Sequence, residues 1–368
     1  MSLSHCSNNN TYDDVKEREG IKGTCLDMCP SEEVTLRKRE KLVHILEVTD
    51  LGYKLVKCYS RSAASFVMAV PCLLRPYPVL LDTVQYLLLE VSKREDVNMS
   101  VMYDFLNDRL RSVRQDMTIQ RLPPEECTIL LEPMIRFYVY YAYRLCEHPL
   151  KEFDPTLNKK YMLECLKWFL SCYDTLDAQT VQVDSLVYDL IALNLSKEER
   201  LSSDRKLMEC LYILCNLDDV HPLYRYLSLP KSIKKVSTIK VAYKIAVANV
   251  HGNYIRMWKL SKALCPLTFA AFCLYLPSLQ RRGLQVLSNG FNSKQLSVPV
   301  KVVQNWLGFN SPEEVRDTCS HYGLKVTDVI YFNKATFKLD VAMPQPIKNY
   351  QVKLLQSTLE EILTYTVR

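Results

Sequence analysis

Glycine sets the tightest limit on what this chain can become: there are 8 in 368 residues, roughly a third of average usage. Folds built from many strands and tight turns depend on glycine at positive φ far more than helices do. A mainly α protein follows. The same scarcity leaves little material for phosphate-cradling loops. Neither GxGxxG nor GxxxxGK followed by Ser or Thr occurs, so a nucleotide-driven enzyme is not expected. With 48% apolar and 24% charged residues, the chain can build a sizeable core and is too apolar to be disordered throughout.

The opening MSLSHCSNNNTYDDVKEREG has no apolar centre to serve as a signal peptide, and residues 1–22 are expected to be a mobile arm. The longest apolar stretches, around residues 66–74 and 266–276, are broken by proline and too short for about 30 Å of hydrocarbon. No membrane partner is expected. The 14 cysteines then belong in a reducing compartment, and segments such as YMLECLKWFLSCY place them where a thiol serves as a small hydrophobe.

Charge is unevenly distributed. Residues 1–230 hold 28 Lys+Arg against 34 Asp+Glu, whereas residues 231–368 hold 19 against 7. A basic C-terminal third on a mildly acidic body suits a polyanion or an acidic protein as partner.

Along the chain, Pro30, Ser31, Glu32 and Glu33 read as a helix start, with a helix expected over residues 31–48 and another over 79–92. In SVMYDFLNDRLRSVRQDM, Met102, Leu106, Leu110, Val113 and Met117 form a continuous apolar stripe. CTILLEPMIRFYVYYAYRLCEH, YMLECLKWFLSCYDTL, VDSLVYDLIALNL, DRKLMECLYILCNL and VHPLYRYLSL follow as helices with short breaks. They predict an irregular, TPR-like stack without a strict repeat. Near the end, Ser311 reads as an N-cap, Pro312 as a first-turn residue and Gly323 as a helix stop. KVTDVIYFN and ATFKLDV read as strands turning at Asn333 and Lys334. Two helices and a hairpin of this size predict a winged-helix module over residues 291–342, after a helical domain over 23–290 and before a tail helix over 343–368.

Several of these segments carry a resemblance. GTCLDMCP, followed by acids and Arg37, is similar to the opening of the Sac-three/GANP domain through Cys25, Met28, Cys29 and Pro30. RPYPVLLDTVQYLL and YDFLNDRLRSVRQDM resemble two further family segments, the second with Arg109, Arg111 and Arg114 in its basic positions. NYIRMWKL and SPEEVRDTCSHYGLKV resemble its later helices. The resemblance runs from about residue 23 to residue 339. It implies a PCI-type fold and a non-enzymatic scaffold. Large family members organise a nuclear mRNA-export complex with a second PCI-domain protein and a small acidic subunit, their paired winged helices forming a nucleic-acid surface. With about 20 residues before the match and about 30 after it, the export-receptor repeats and the centrin-recruiting helix of large members are not expected here. An acetyltransferase activity attributed to a large relative lies outside the matched stretch and is not carried over. The chain is most similar to the family's short branch, associated with centrosome duplication, spindle assembly and mitotic progression. That implies cytoplasm, centrosome and spindle, with a nuclear export role as the alternative.

Cys25 and Cys29 with His44 invite a zinc site, yet zinc needs four ligands and no second close pair follows. No metal and no cofactor is expected; burial of Met28 and capping of the first helix is preferred. Arg109, Arg111 and Arg114 are interleaved with Asp104, Asp108 and Asp116, which favours pairing on or between helices over phosphate binding. Phe137, Tyr138, Tyr140, Tyr141 and Tyr143 surround a helix and are expected in the core. Arg281 and Arg282 at the end of a helix, Lys294, and Lys301, Lys325, Lys334 and Lys338 on the winged helix and its hairpin form the candidate nucleic-acid surface, able to hold phosphates without reading bases. The same surface could equally pair with another PCI domain. His148, His221, His251 and His321 are isolated in the sequence, and no nucleophile signature accompanies them; neither a catalytic residue nor a small-molecule substrate is expected.

Overall fold

The structure, a computed structural model, describes residues 21–61, 70–183, 204–349 and 357–364. The expected N-terminal arm lies almost wholly outside these residues, as does most of VDSLVYDLIALNL. The described residues are mainly helical, as the glycine scarcity implied.

After α1 (Ser31–Arg39) come a two-residue hairpin of β1 (Val48–Thr49) and β2 (Gly52–Tyr53), then α2 (Tyr77–Gln85), α3 (Met99–Gln120), α4 (Pro124–Arg144) and α5 (Pro155–Val183). The stack continues with α6 (Arg205–Leu214), α7 (His221–Ser228), α8 (Lys231–Lys234), α9 (Ser237–Val250), α10 (Tyr254–Ser261), α11 (Pro266–Cys273) and α12 (Leu276–Gly290). Side-chain caps set several boundaries. Asn98 accepts from the Ser100 amide at the start of α3, Asp204 from Leu207 before α6, and Asn253 from Arg256 before α10. Arg121 adopts left-handed backbone (φ 51°) and stops α3, after which Pro123 and Pro124 restart the chain as α4. Among the described residues no helix is long and apolar enough to cross a membrane.

The core follows the sequence pattern. None of Met102, Leu106, Leu110, Val113 and Met117 is more than 3% exposed. Phe137, Tyr138, Tyr140, Tyr141 and Tyr143 are all buried on α4. Tyr138 donates to the Asn107 side chain (3.1 Å) and Tyr143 to the Asn349 carbonyl (3.0 Å), so the phenols keep partners in an apolar setting. Nine of the thirteen described cysteines are buried and all thirteen are free thiols. The C-terminal chain returns over this core. Arg136 of α4 pairs with Glu132 (2.6 Å) and donates to the Ile362 carbonyl (2.8 Å) in α15 (Leu359–Thr364).

Two expectations are corrected near the N-terminus. The helix expected over 31–48 stops at Arg39. Lys41 takes φ 55°, the Leu42 amide returns to the Arg37 carbonyl (2.8 Å), and the chain winds around the Arg37 side chain into a 3₁₀ turn at Ile45–Glu47. The helix expected over 79–92 begins earlier, at Tyr77, and loosens into a π turn at Tyr86–Glu90 and a 3₁₀ turn at Val91–Lys93.

At the C-terminal end, α13 (Val300–Leu307) and α14 (Pro312–His321) accompany a small antiparallel sheet of order β3 (Val298–Pro299), β5 (Val329–Tyr331), β4 (Lys325–Val326). Ser311 accepts from the Glu314 amide (3.1 Å), Pro312 fills the first turn, and Gly323 (φ 79°) leads the chain out of α14, as read from the sequence. The hairpin is displaced from its expected place. The turn lies at Thr327 and Asp328, and ATFKLDV forms no strand. The Asp328 carbonyl accepts from the Val300 amide (3.1 Å) and β5 pairs with β3 ahead of α13, so tertiary pairing outweighed the turn propensity of Asn333. In the tail, residues 343–349 run without helix, and the only helix among the described tail residues is α15.

One glycine joins this lobe to the stack. Gly308 ends α13 at φ 73°, and a Cβ there would lie 2.6 Å from the Trp258 ring of α10. Gly308→Ala therefore combines a left-handed alanine with a ring clash and is expected to cost about 1–3 kcal/mol in urea unfolding. Gly290→Ala, with open space around it, serves as the control and should be neutral or slightly stabilising.

Candidate functional site

The segment before α2 has little regular structure, so most of its polar backbone groups need partners from elsewhere. They come from α3. Asp108, Ser112, Asp116 and Gln120 recur every four residues and form a polar rail beside the apolar stripe. Asp108 accepts from the Tyr59 amide (3.2 Å). Ser112 accepts from Arg75 (3.0 Å), and Gln120 accepts from the Gly23 amide (2.8 Å) while donating to the Arg75 carbonyl (2.8 Å). Asp116, fully buried, holds Lys57 Nζ at 2.6 Å and Arg75 Nε at 2.7 Å. Lys57 also donates to the Leu73 carbonyl and Arg75 to that of Met28 (3.3 Å).

This network explains the N-terminal motif. The Met28 carbonyl accepts from both the Lys57 amide (3.0 Å) and Arg75, and Pro30 leads into α1 with its carbonyl accepting from Val34 (3.0 Å). The Cys25 thiol donates to the Asp27 carbonyl (3.2 Å). Burial pushes both thiols up, that of Cys29 further, with Glu33 adding to the effect. His44 Nδ1 accepts from the Leu46 amide (3.2 Å) and its ring stacks on Phe105, while burial pulls its pKa down. These side chains are engaged in protein contacts of their own. Arg37 reaches the Val56 carbonyl (3.1 Å) and the buried Glu47, whose other oxygen meets Arg109 at 3.4 Å. Arg109 also pairs with Asp108, Arg114 with Glu164 of α5 (2.7 Å), and Arg111 lies between the rings of Tyr59 (3.8 Å) and Tyr161 (4.5 Å). Of the interleaved pairs expected, only Arg109 with Asp108 forms; Arg114 reaches across to α5, Arg111 stacks between rings, and Asp116 serves Lys57 and Arg75 instead of the three arginines.

The C-terminal lobe is different. Among its described residues the ion pairs are Arg282 with Asp218 (3.0 Å), Arg316 with Glu313 and Asp328, and Lys348 with Glu147 (3.2 Å). Lys294, Lys301, Lys325, Lys334 and Lys338 are exposed and form none; Lys325 only overhangs the Tyr331 ring (5.7 Å). Lys301 stands on α13 and Lys325 on β4, whereas Lys334 and Lys338 sit beyond the sheet and not on a hairpin strand. Arg281 and Arg282 are a correction to the predicted surface. They lie in the middle of α12, where Arg281 donates to the Leu339 carbonyl and so ties the lobe to α12, while Arg282 pairs with Asp218 and ties α12 to the body.

The sequence reading missed a second set of cations. No Asp or Glu occurs between Asp219 and Glu313, and Lys231, Lys235, Lys240, Lys244, Arg256, Lys259 and Lys262 all lie exposed on or beside α8, α9 and α10. That acid-free run was the signal.

A cavity of about 340 Å³ opens between α4, α5, α11, α12 and the chain at residues 343–346, with Cys146, Cys215, Lys159 and Tyr275 among its lining. Burial pushes both thiols up to about 12, which keeps them protonated and poorly nucleophilic near neutral pH. Lys159 and Tyr275 hydrogen-bond each other (3.1 Å), and Tyr275 donates to the Cys215 carbonyl (2.5 Å).

Asp116→Asn should leave Lys57 and Arg75 buried without their counter-charge and cost about 3–5 kcal/mol, read by chemical unfolding. Glu47 adds a pH signature. Burial raises its pKa, but the hydrogen bond from Arg37, the charge of Arg109 and the Val56 and His44 amides outweigh it and hold the carboxyl below its ordinary 4.5. A depressed carboxyl stabilises above its unfolded pKa and loses that contribution as pH falls through the folded one. The stability gap between wild type and Glu47→Gln is therefore expected to be full at neutral pH and to close as pH falls below about 4.5.

Known proteins are similar to this chain over most of its length. The model of the SAC3/GANP family matches residues 28–328, which include α3 with its rail and most of the basic lobe. Protein xmas of Drosophila melanogaster is 26% identical over 361 residues, covering 93% of this chain and 16% of the relative. SAC3 family protein B of Arabidopsis thaliana is 27% identical over 335 residues, covering 86% and 18%. SAC3 family protein 1 of Schizosaccharomyces pombe is 24% identical over 372 residues, covering 92% and 34%. The chain thus spans between a sixth and a third of the length of these curated relatives. A family model that takes in the segment from Met28 through the basic lobe shows that this chain belongs to the SAC3/GANP family.

Proposed function

We propose that the protein is a non-enzymatic scaffold acting at the centrosome and spindle during mitosis, in the cytoplasm, as its likeness to the short branch of the family suggests. The observation that carries the scaffold reading is the division of charge. Arg37, Arg109 and Arg114 are bound into intramolecular pairs and Arg111 lies between two tyrosine rings, while Lys294, Lys301, Lys325, Lys334 and Lys338 of the C-terminal lobe are exposed and without carboxylate partners among the described residues. Exposed cations of that kind raise association rates and select acidic or phosphate-bearing partners without any covalent step. The cavity thiols, held protonated, support the non-enzymatic side of the reading.

In this reading the helices and sheet from residue 291 onward act as a winged-helix module, and the protein partners are a second PCI-domain protein and a small acidic subunit. The same unpaired lysines favour a second reading, a nucleic-acid-binding component of a nuclear mRNA-export assembly. Phosphate contacts alone would give salt-sensitive binding with little sequence preference.

Affinity purification from dividing cells, with and without RNase, separates the two. The scaffold reading expects RNase-resistant protein partners and pericentriolar enrichment; recovery of poly(A) RNA with nuclear location favours export. Lys325→Glu with Lys334→Glu and Lys338→Glu should reduce partner recovery in either case, and unchanged recovery would remove the basic lobe from the account.

A further inference from the structure

Helix α7 presents its side chains the wrong way round for a surface helix. Its arginine points inward: Arg225 pairs with Asp174 of α5 (2.8 Å) and with Glu209 of α6 (2.8 Å). Tyr226 stacks on Tyr243 of α9 at 3.9 Å between ring centres, and Leu223 packs on the core. The apolar residues that remain point outward. Val220, just ahead of the helix, Tyr224 and Leu227 are 52, 66 and 59% exposed, at spacings of four and three that line them up on one side of the helix.

Asp219, held by His221 (2.6 Å), stands at the start of this stripe, and cations lie on the elements beside its other end. Lys234 donates to the Leu227 carbonyl (2.9 Å), which fixes it at the end of α7. Lys231 and Lys235 are exposed at α8, and Lys240 and Lys244, one turn apart, are exposed on α9, which packs on both α7 and α8. None of these five forms an ion pair with a described carboxylate, and the next acid after Asp219 is Glu313.

An apolar stripe with i, i+4, i+7 spacing is the pattern by which a partner helix is held, and its cationic border selects the sign of that partner. Two of the three outward residues are aliphatic and offer no face for a stacked base, which separates the stripe from a single-strand nucleic-acid platform. A second copy of the chain would bring the same excess of positive charge to the contact. From these observations we infer that α7 docks an acidic amphipathic helix of a protein partner. Its apolar residues lie on Val220, Tyr224 and Leu227, and its carboxylates meet Lys231, Lys234, Lys235, Lys240 and Lys244. The inference rests on the scaffold reading and adds the chemistry of one partner, at a face separate from the C-terminal lysines.

The test uses the full chain and a fluorescein-labelled synthetic helix with leucines at i, i+4 and i+7 and glutamates between them, followed by fluorescence anisotropy. Saturable binding is expected, weakened by added salt. It should fall about tenfold or more in Tyr224→Ser with Leu227→Ser. Lys235→Glu with Lys240→Glu should weaken it similarly and favour a lysine version of the peptide. The Lys325→Glu, Lys334→Glu, Lys338→Glu variant should bind the peptide normally. If that variant loses cellular partners while keeping the peptide, the lobe is confirmed as a second and separate contact; if it keeps its partners and the peptide, only the earlier reading fails. Hydrogen exchange on the wild-type chain, which needs no substitution, should slow at α7 when the peptide is added. Three results would overturn the inference: affinity unaffected by the Tyr224 and Leu227 pair, a uridine oligonucleotide whose binding depends on that pair while peptide binding does not, or a dimer of the free chain that the pair dissociates.

Discussion

A single buried carboxylate orders the N-terminal part of this molecule. Asp116 sits on α3 with no exposure to water and accepts from Lys57 and Arg75, cations on two stretches that have almost no secondary structure of their own. Two desolvated cations on one desolvated anion are tolerable only when the remaining donors are also satisfied. Here the carbonyls of Leu73 and Met28 and the hydroxyl of Ser112 complete the set. The backbone that supplies those carbonyls is thereby fixed, and with it the entry into α1. The energy of such a cluster need not be large for its geometry to be specific, because each misplacement leaves a buried charge unpartnered.

The rest of the electrostatics follows from how charge is used. In the acidic N-terminal body arginines reach across segments to carboxylates, as Arg37 does to Glu47, Arg114 to Glu164 and Arg225 to Asp174 and Glu209. From α8 onward acids are absent until Glu313, and apart from Lys348 on Glu147 the lysines there form no ion pair among the described residues. A solvated lysine contributes little to stability but keeps its charge available to another molecule. The fold thus divides into a part whose cations hold it together and a part whose cations face outward. Arg282 on Asp218 and Lys348 on Glu147 join the two.

Local signals in the sequence carried well. The apolar stripe of α3, the aromatic burial on α4, the Ser311 cap and the Gly323 exit depend on neighbours within a turn or two, and periodicity captures those. Long-range pairing did not show. Asp116 lies 59 residues from Lys57 and 41 from Arg75, and beside Arg109, Arg111 and Arg114 it looked like a local counter-ion. The hairpin turn was misplaced for a related reason: Asn333 and Lys334 look like a turn in isolation, but β5 is held by β3, a pairing across α13. The family-motif residues were legible as a pattern, whereas the role of the Met28 carbonyl in accepting from Arg75 and the Lys57 amide needed the folded chain. The α7 stripe was visible as a helix and silent about its orientation, because only Arg225 pointing inward reveals which face is left outside.

The most direct measurement of this account is lysine-acylation footprinting by mass spectrometry on the free chain and on the assembly purified from dividing cells. The account predicts Lys57 unreactive in both, and Lys231, Lys240, Lys301, Lys334 and Lys338 reactive in the free chain and protected in the assembly. Lysines of the basic run equally reactive in both states, or already protected in the free chain, would contradict it.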